Sequence, residues 1–290
     1  MINRILVCLD KSTYTDSVID YACWLAKHHN ASLEGLVVVD TKGIRRSEGP
    51  VPLGAMRFAK TNIAAKEEEF HEMVEGLLQK FSERCEAADV RHVEFEMQGS
   101  PADSIIEESM FFDCVVIGMR TFFTYASGAG PDEIYGTDDD EPGDSLDQIL
   151  DHSPAPVFAV PLEWKPTEQP NVLVALNQCT NSLSALRKFA RLYGRADVNV
   201  TLMNCSDGSE NHMGLLTKAS SFLQSHWFKK VHLQTESGNV REVLDQTYCD
   251  EYDLIVLGAH GGSELVEFFA GSLCRTLIER GDKPLLIANG

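Results

Sequence analysis

Short apolar runs alternate with longer amphipathic stretches along this chain. The runs Val37–Val39 and Val115–Ile117 are continuously apolar, which is typical of parallel strands covered on both faces. In the stretch 57–87, apolar residues recur at spacings of three, four and seven, which predicts a long amphipathic helix packed on a core. Strands that alternate with helices predict right-handed crossovers in an open, doubly wound α/β sheet.

The predicted elements form two similar series. In the first half, strands are predicted near 3–9, 32–39, 91–97, 114–118 and 156–160, and helices near 13–29, 57–87, 101–112 and 144–152. In the second half, strands are predicted near 171–176, 197–204, 230–236, 253–258 and 284–288, and helices near 181–193, 212–227, 239–250 and 271–281. The pattern therefore predicts two α/β domains with parallel sheets.

Sequence similarity between the halves supports a duplication. Three segments of the first half recur in the same order in the second: Arg4–Asp10 with Asn171–Asn177, Asp113–Gly118 with Asp253–Gly258, and Pro156–Val160 with Pro284–Ala288. A duplicated domain explains such ordered matches, and chance does not. The stretch 161–170 contains three prolines, which resist both helix and sheet, so we predict domains at 1–163 and 164–290.

Composition is that of an ordinary globular protein. The 290 residues are 43% hydrophobic, which is enough for two cores, and no run approaches the roughly 18 apolar residues of a membrane helix. The N-terminus enters a strand directly, without a basic segment or a cleavage site. The eight cysteines contain no CxxC pair and lie mostly in apolar runs. We therefore predict a cytoplasmic protein that does not bind membranes.

The negative charge is concentrated in the first half. Residues 1–163 carry 13 Lys and Arg against 30 Asp and Glu, a net charge of −17, whereas residues 164–290 carry 12 against 14, a net charge of −2. An acidic domain without a basic stripe repels nucleic-acid phosphates, so neither DNA nor RNA is an expected partner. The acidity serves solubility, and it leaves open recruitment of a basic protein partner.

A glycine motif follows the strand 253–258. Gly258, Gly261, Gly271 and Ser272 form the pattern G-x2-G-x9-G-S, which resembles the nucleotide-binding signature of the universal stress protein family. The chain as a whole resembles a tandem member of that family, with an adenine nucleotide alpha-hydrolase-like fold in each copy. The resemblance implies that the second copy binds ATP or AMP. The alternative is that these glycines only form tight turns.

The motif suits phosphate, and other residues suit the nucleoside. Backbone amides of the loop His260–Ser263, which includes Gly261 and Gly262, can surround phosphate oxygens, while Gly271 and Ser272 open a helix whose positive end favours anions. The resemblance implies that the nucleoside lies near three residues at strand ends, namely Asn177, Asn204 and Cys205.

The residue after the first strand bears on metal binding. The family commonly has aspartate there; the first copy keeps Asp10, whereas the second has Asn177. An amide can bond a ribose hydroxyl, but it is a poorer Mg²⁺ ligand than a carboxylate. The sequence thus predicts no protein metal site and leaves a Mg²⁺ requirement open.

The first copy departs from the motif. Thr121 stands where the second glycine is expected, and Gly143-Asp144 stands in place of Gly271-Ser272, so a carboxylate replaces a hydroxyl. The intervening segment is longer and contains the acidic run Asp138–Glu141. Carboxylates beside a phosphate weaken its binding, so we expect the first copy to be closed to triphosphates.

Catalysis is not predicted from this sequence. No G-x4-G-K-[ST] lysine is present, and no set of catalytic residues can be assembled. The alternatives to a regulatory, stress-response nucleotide-binding protein are a very slow ATPase, a protein that phosphorylates itself at Ser272, and a nucleotide-independent scaffold.

The final strand of each copy predicts how the copies assemble. Pro156–Val160 and Pro284–Ala288 are apolar edges that should not be left bare in water. We predict that they pair within one chain to form a pseudo-dimer, and the sequence leaves further homodimerisation open.

Overall fold

The computed structural model describes residues 2–39, 56–121, 144–194, 196–206, 212–244, 251–259 and 272–290, and within these it describes no side chains for residues 56–70, 144, 206, 212 and 272. The first half contains strands β1 Arg4–Cys8, β2 Ser32–Val39, β3 His92–Gln98, β4 Cys114–Gly118 and β5 Val157–Val160. Its helices are α1 Thr15–His29, α2 Met56–Ala87, α3 Pro101–Ser109 and α4 Asp144–His152.

The second half repeats this order. Its strands are β6 Asn171–Ala175, β7 Asn199–Ser206, β8 Lys230–Ser237, β9 Leu254–Gly258 and β10 Leu285–Ala288. Its helices are α5 Thr180–Tyr193, α6 His212–Ser225, α7 Val240–Val243 and α8 Ser272–Arg280. The predicted helix over 239–250 is described only as the single turn α7, because residues 245–250 lie outside the described part of the chain.

The strands of the described residues form one sheet in the order β3-β2-β1-β4-β5-β10-β9-β6-β7-β8. Neighbouring strands within each half are parallel, whereas β5 and β10 pair antiparallel with Phe158 opposite Leu286. The predicted fold of two doubly wound units is confirmed, and so is their pairing through the final strands. All residues of β5 and β10 are buried, because each strand covers the apolar edge of the other.

Hydrophobic clusters on the two sheet faces both contain residues from each half. On one face the ring of Phe158 lies 5.6 Å from Tyr21 and 6.5 Å from Tyr193, measured between centroids. The pseudo-symmetry extends to single hydrogen bonds. Ser17 Oγ donates to the Pro161 carbonyl at 2.7 Å, and Ser184 Oγ donates to the Asn289 carbonyl at 2.6 Å.

The cysteines and the hydropathy of the helices bear on the expectations from composition. The cysteines of the described residues are all free thiols. Among the same residues, no helix combines the length and hydropathy that a membrane crossing requires. The boundary between residues 163 and 164 stays a prediction.

Candidate functional site

The carboxyl ends of β6, β7 and β9 define the candidate site. In the second half, β7 lies on one side of β6 and β9 on the other, so the strand order reverses beside β6. Ligands of open α/β sheets bind outside the carboxyl ends of the strands at such a switch point. Asn177 follows β6, Asn204 and Cys205 lie near the end of β7, and Gly258 ends β9.

The structure describes only part of the predicted phosphate loop. Gly261, Gly262 and Gly271 lie outside the described residues, and Ser272 is described only as the first residue of α8. The assignment of these four residues to phosphate therefore stays a prediction.

Gly258 is required by the fold itself. A Cβ atom at this position would lie 2.6 Å from the carbonyl carbon of Asn181 and 2.6 Å from the amide nitrogen of Ser182, at the start of α5. Real Cβ atoms do not approach backbone this closely. The missing side chain thus lets α5 begin directly beside the end of β9.

Asn177 is exposed and forms the turn between β6 and α5. Its side-chain Oδ1 accepts a hydrogen bond from the Cys179 amide at 3.0 Å, and its own amide donates to Ser182 Oγ at 3.0 Å. Its Nδ2 group has no hydrogen-bond partner among the described residues. The side chain therefore offers its Nδ2 donors at the edge of the sheet, while its oxygen already accepts one hydrogen bond within the turn.

Asn204 carries an unsatisfied acceptor inside the protein. The residue is 3% exposed, and its Nδ2 donates to the Leu176 carbonyl at 2.5 Å. Its Oδ1 is buried without a hydrogen-bond partner among the described residues. Leaving a buried acceptor unpaired costs about 1–3 kcal/mol. This oxygen is therefore suited to a donor that the chain does not supply.

The first half has an apolar residue at the equivalent position. Cys8 pairs with Leu36, and Ala175 pairs with Met203, so the next residues in register are Val37 and Asn204. Val37 is fully buried in the core. The unsatisfied amide is thus a property of the second half alone and not of the shared framework.

Cys205 lies on the opposite sheet face from Asn204. Successive strand residues point to opposite faces, and Cys205 packs against the cluster that contains Met203, whereas Val200 and Leu202 belong to the other cluster. Burial, and then the charge of Glu236, raise the pKa of the Cys205 thiol to about 11. The structure therefore does not bring the thiol together with the Asn204 amide, and the thiol remains protonated at neutral pH.

In the first half, the residue equivalent to Asn177 is enclosed. Asp10 is 1% exposed, and its Oδ1 accepts from the Ser12 amide at 3.1 Å, from Ser12 Oγ at 2.6 Å and from Thr15 Oγ1 at 3.0 Å. These three hydrogen bonds hold the Asp10 carboxylate within the turn between β1 and α1.

The end of β4 is filled by side chains. Tyr14 is 1% exposed, and its Cβ lies 2.7 Å from the position that a Cβ on Gly118 would take. Thr121 is also buried, and its Oγ1 donates to the Gly118 carbonyl at 3.4 Å. The corresponding neighbour of Gly258 is the smaller, half-buried Asn181.

In the described structure, a larger and more deeply buried side chain therefore stands beside the end of β4 than beside the end of β9. The sequence predicted closure of the first crevice by charge, from the Asp144 carboxylate and the run Asp138–Glu141, which lie outside the described part of the chain. Alignment of the two copies pairs Tyr14 with Asn181, so the steric difference was readable from the repeat.

Metal ligands are not apparent at either crevice. Within the described ranges, no group of three or more His, Cys, Asp or Glu side chains could hold a metal ion. The acidic segment from Asp132 to Asp144 falls outside that search, apart from the backbone of Asp144.

Two solved structures that cover nearly the whole chain share this fold, and a third is similar over less than half of it. A universal stress protein from Archaeoglobus fulgidus DSM 4304 is 16% identical and covers 99% of this chain and 96% of its own, with a TM-score of 0.69. A functionally unknown protein from Pseudomonas aeruginosa PAO1 is 13% identical, covers 99% of this chain and 92% of its own, and has a TM-score of 0.58. A universal stress protein in complex with cAMP is 17% identical over 42% of this chain and 98% of its own, with a TM-score of 0.35.

The family is identified by sequence comparison. No curated protein matches the chain. The family model described as Universal stress protein family matches it twice, at residues 1–161 and at residues 170–289. These two matches span nearly the whole sequence, and the chain therefore belongs to the universal stress protein family as a tandem, two-domain member.

Proposed function

We propose that the second half binds one adenine nucleotide, ATP or AMP, at the carboxyl ends of β6, β7 and β9. The chain would act as a regulatory stress-response protein through this binding. The observation that carries the proposal is the buried Oδ1 of Asn204, which has no hydrogen-bond partner among the described residues and which the first half replaces with Val37. The exocyclic amine of adenine is a donor of the kind this oxygen lacks.

The other predicted contacts have suitable chemistry. The free Nδ2 donors of Asn177 would bond a ribose hydroxyl, and amides of the G-x2-G-x9-G-S loop and of the α8 N-terminus would bond phosphate. Cys205 is less well placed than the sequence suggested, because it packs on the other face of β7. Because an amide oxygen is a poorer Mg²⁺ ligand than a carboxylate, the proposal includes no protein ligand for Mg²⁺.

Phosphoryl transfer is not part of this proposal. The sequence contains no lysine in a phosphate-binding motif, and efficient transfer depends on such positioned charges. Cytoplasmic location, a protein partner and homodimerisation stay predictions from the sequence.

Stoichiometry tests the proposal. Calorimetric titration of nucleotide-free protein with ATP and with AMP should give one site per chain. Ser272→Asp, which imposes the first copy's charge at the α8 N-terminus, should remove that site while circular dichroism remains unchanged. Two equal sites would contradict the closure of the first half, and the absence of any site would favour the scaffold alternative.

A further inference from the structure

A groove separates α5 from α6 on one face of the second half. The cavity has a volume of about 610 Å³, within the range of small-molecule sites. Its walls are mainly apolar and come from facing stripes of the two helices, Leu183 and Leu186 on α5 and Leu215, Ala219 and Phe222 on α6. Their spacings of three, four and seven residues place each set on one helix face.

Two cations line the same groove. Arg187 on α5 and Lys218 on α6 are both exposed, and neither side chain has an ion pair or hydrogen bond with any residue that the structure describes. Two like charges beside one cavity repel each other, and a bound anion would relieve that repulsion.

The first half shows what occupies the equivalent place. There Asp16 on α1 pairs with Lys80 at 2.5 Å, and Asp20 pairs with Arg84 at 2.5 Å, so carboxylates connect α1 to α2. Helix α2 also places Phe81 so close to β2 that a Cβ on Gly35 would lie 2.6 Å from the ring. Helix α2 therefore packs tightly on the sheet beside α1.

The second half has lost these carboxylates. When Asp10 is aligned with Asn177, Asp16 corresponds to Leu183 and Asp20 to Arg187. An apolar side chain and a cation thus replace two anions. The groove has gained apolar wall and positive charge at the positions where the first half supplies its own carboxylates.

We propose that this groove binds an unbranched aliphatic carboxylate, with its head group between Arg187 and Lys218 and its chain against the apolar stripes. The carboxylate takes the place of the missing Asp side chain, and the aliphatic chain removes the leucine and phenylalanine surfaces from water. This ligand is additional to the proposed nucleotide, and the inference does not depend on that proposal.

Charge reversal tests the head-group contact. Dodecanoate, kept below its micelle concentration, is titrated into the full-length protein by calorimetry. The double variant Arg187→Glu/Lys218→Glu should bind about tenfold more weakly or worse, because attraction becomes repulsion. The control Lys229→Glu/Arg241→Glu makes the same change in net charge in the same half but outside the groove, and its affinity should stay within about twofold of the unmodified protein.

Filling the groove tests the chain contact. Gly214 lines the cavity, and a Cβ there meets nothing within 4 Å, so Gly214→Leu should occupy the groove without strain. Gly76 on α2 also has open space and lies on a helix of the first half, which makes Gly76→Leu a matched control. Dodecanoate binding should be lost in Gly214→Leu and retained in Gly76→Leu, and both variants should keep the native circular dichroism spectrum.

Three results would overturn the proposal. The first is absence of saturable 1:1 binding to the unmodified protein, and the second is equal binding by the groove variants and their controls. The third is tighter binding of dodecyltrimethylammonium than of dodecanoate, since the cation has a similar chain and the opposite charge.

A concentration-dependent dimer that Gly214→Leu abolishes would also overturn the proposal, because it would assign the groove to a second copy. ATP titration of the same samples shows separately whether the nucleotide site is intact.

Discussion

At the scale of single residues, one amide distinguishes the halves most clearly. Asn204 occupies a core position that is valine in the first half, and its buried oxygen has no partner in the part of the chain that the structure describes. A valine there would remove this unpaired acceptor together with the hydrogen bond to the Leu176 carbonyl. Loss of the unpaired acceptor should raise the free energy of unfolding, and loss of the hydrogen bond should lower it. A ligand that hydrogen-bonds to the Asn204 oxygen would lose that contact.

We predict that Asn204→Val separates stability from binding. The free energy of unfolding without nucleotide should change by less than about 1 kcal/mol, because a satisfied donor and an unsatisfied acceptor are removed together. Nucleotide affinity should fall about tenfold or more, because the adenine amine would lose its acceptor. Urea denaturation and calorimetry measure the two quantities. Unchanged affinity would exclude Asn204 from the site.

A second residue-scale feature is a histidine that resists protonation. His29 lies at the end of α1, and its ring centroid is 6.0 Å from that of Tyr193 in the second half. Its buried Nε2 has no hydrogen-bond partner among the described residues. Burial, and then neighbouring His28, lower the pKa of His29 to about 4. The imidazole is therefore neutral in the folded protein at neutral pH.

We predict that this histidine contributes to acid sensitivity. An unfolded histidine has a pKa of about 6.5, so the unfolded chain takes up the proton first as the pH falls from about 6.5 to about 4. The free energy of unfolding should decrease through that window by up to about 1.4 kcal/mol per pH unit, with no contribution at higher pH.

Substitution isolates the contribution of His29. His29→Phe should flatten the pH dependence of stability between about pH 7.5 and about pH 5. The exposed residue His232 on β8 provides the matched variant His232→Phe, which makes the same substitution away from the contact with Tyr193. Urea denaturation across this range measures both variants, and identical slopes in all proteins would contradict the assignment.

At the scale of elements, the same strand–turn–helix unit has a large buried side chain beside its glycine in one half and a smaller, half-buried one in the other. In both halves the first helix begins beside a glycine that ends a strand, Gly118 or Gly258. The residue packed on that glycine is Tyr14 in one case and Asn181 in the other. Because the backbone is shared, exchange of this side chain should transfer the closed state.

We predict that Asn181→Tyr closes the second crevice. The ring should fill the space beside Gly258 as Tyr14 does beside Gly118, and nucleotide binding should fall below detection while the fold persists. Asn181→Ala is the control, since it also removes the bond to the Gly290 amide but adds no volume. Calorimetry and thermal denaturation check both variants, and retained binding in Asn181→Tyr would argue against steric closure.

Strands were the elements that the sequence predicted best. The bounds of Ser32–Val39 and Cys114–Gly118 agree with the structure to the residue, because a continuous apolar run is a local signal. The helix predicted over 101–112 ends earlier, at Ser109, where the chain turns so that the Asp113 amide can bond to the Arg4 carbonyl. This hydrogen bond joins residues that are far apart in the sequence, so hydrophobic periodicity could not predict where the helix ends.

The candidate site was less predictable because its decisive features depend on tertiary register. The sequence selected Asn204, but its unpaired oxygen becomes apparent only when β7 is placed beside β6. The sequence also grouped Cys205 with Asn204, although strand alternation sends them to opposite faces. In the first half, the carboxylates are evident from the sequence, whereas the burial of Tyr14 beside Gly118 depends on how α1 packs against the end of β4.

At the scale of the whole molecule, β5 and β10 unite two domains in one core. Phe158 contacts Tyr21 of its own half and approaches Tyr193 of the other. Trp164, in the connection between halves, lies 4.9 Å from Tyr21 between ring centroids. A disturbance at this junction should therefore affect both halves.

We predict that Phe158→Ala destabilises the two halves together. Loss of a fully buried phenylalanine should cost about 3–5 kcal/mol. Hydrogen exchange should show that amides of β1 and of β6 lose protection to a similar extent, because both strands belong to the same continuous sheet. Loss of protection confined to the first half would show that the domains unfold independently.

Covalent linkage of the paired strands also changes how the protein can evolve. In a symmetric dimer of identical chains, each substitution appears at both sites. A bulky residue at the position of Tyr14 would therefore be present in both crevices. In this chain the halves share one sheet but are encoded separately, so one crevice can be filled for stability while the other diverges for recognition. Under the proposed occupancy, a single chain has a hyperbolic response to nucleotide, and cooperative switching would require association between chains.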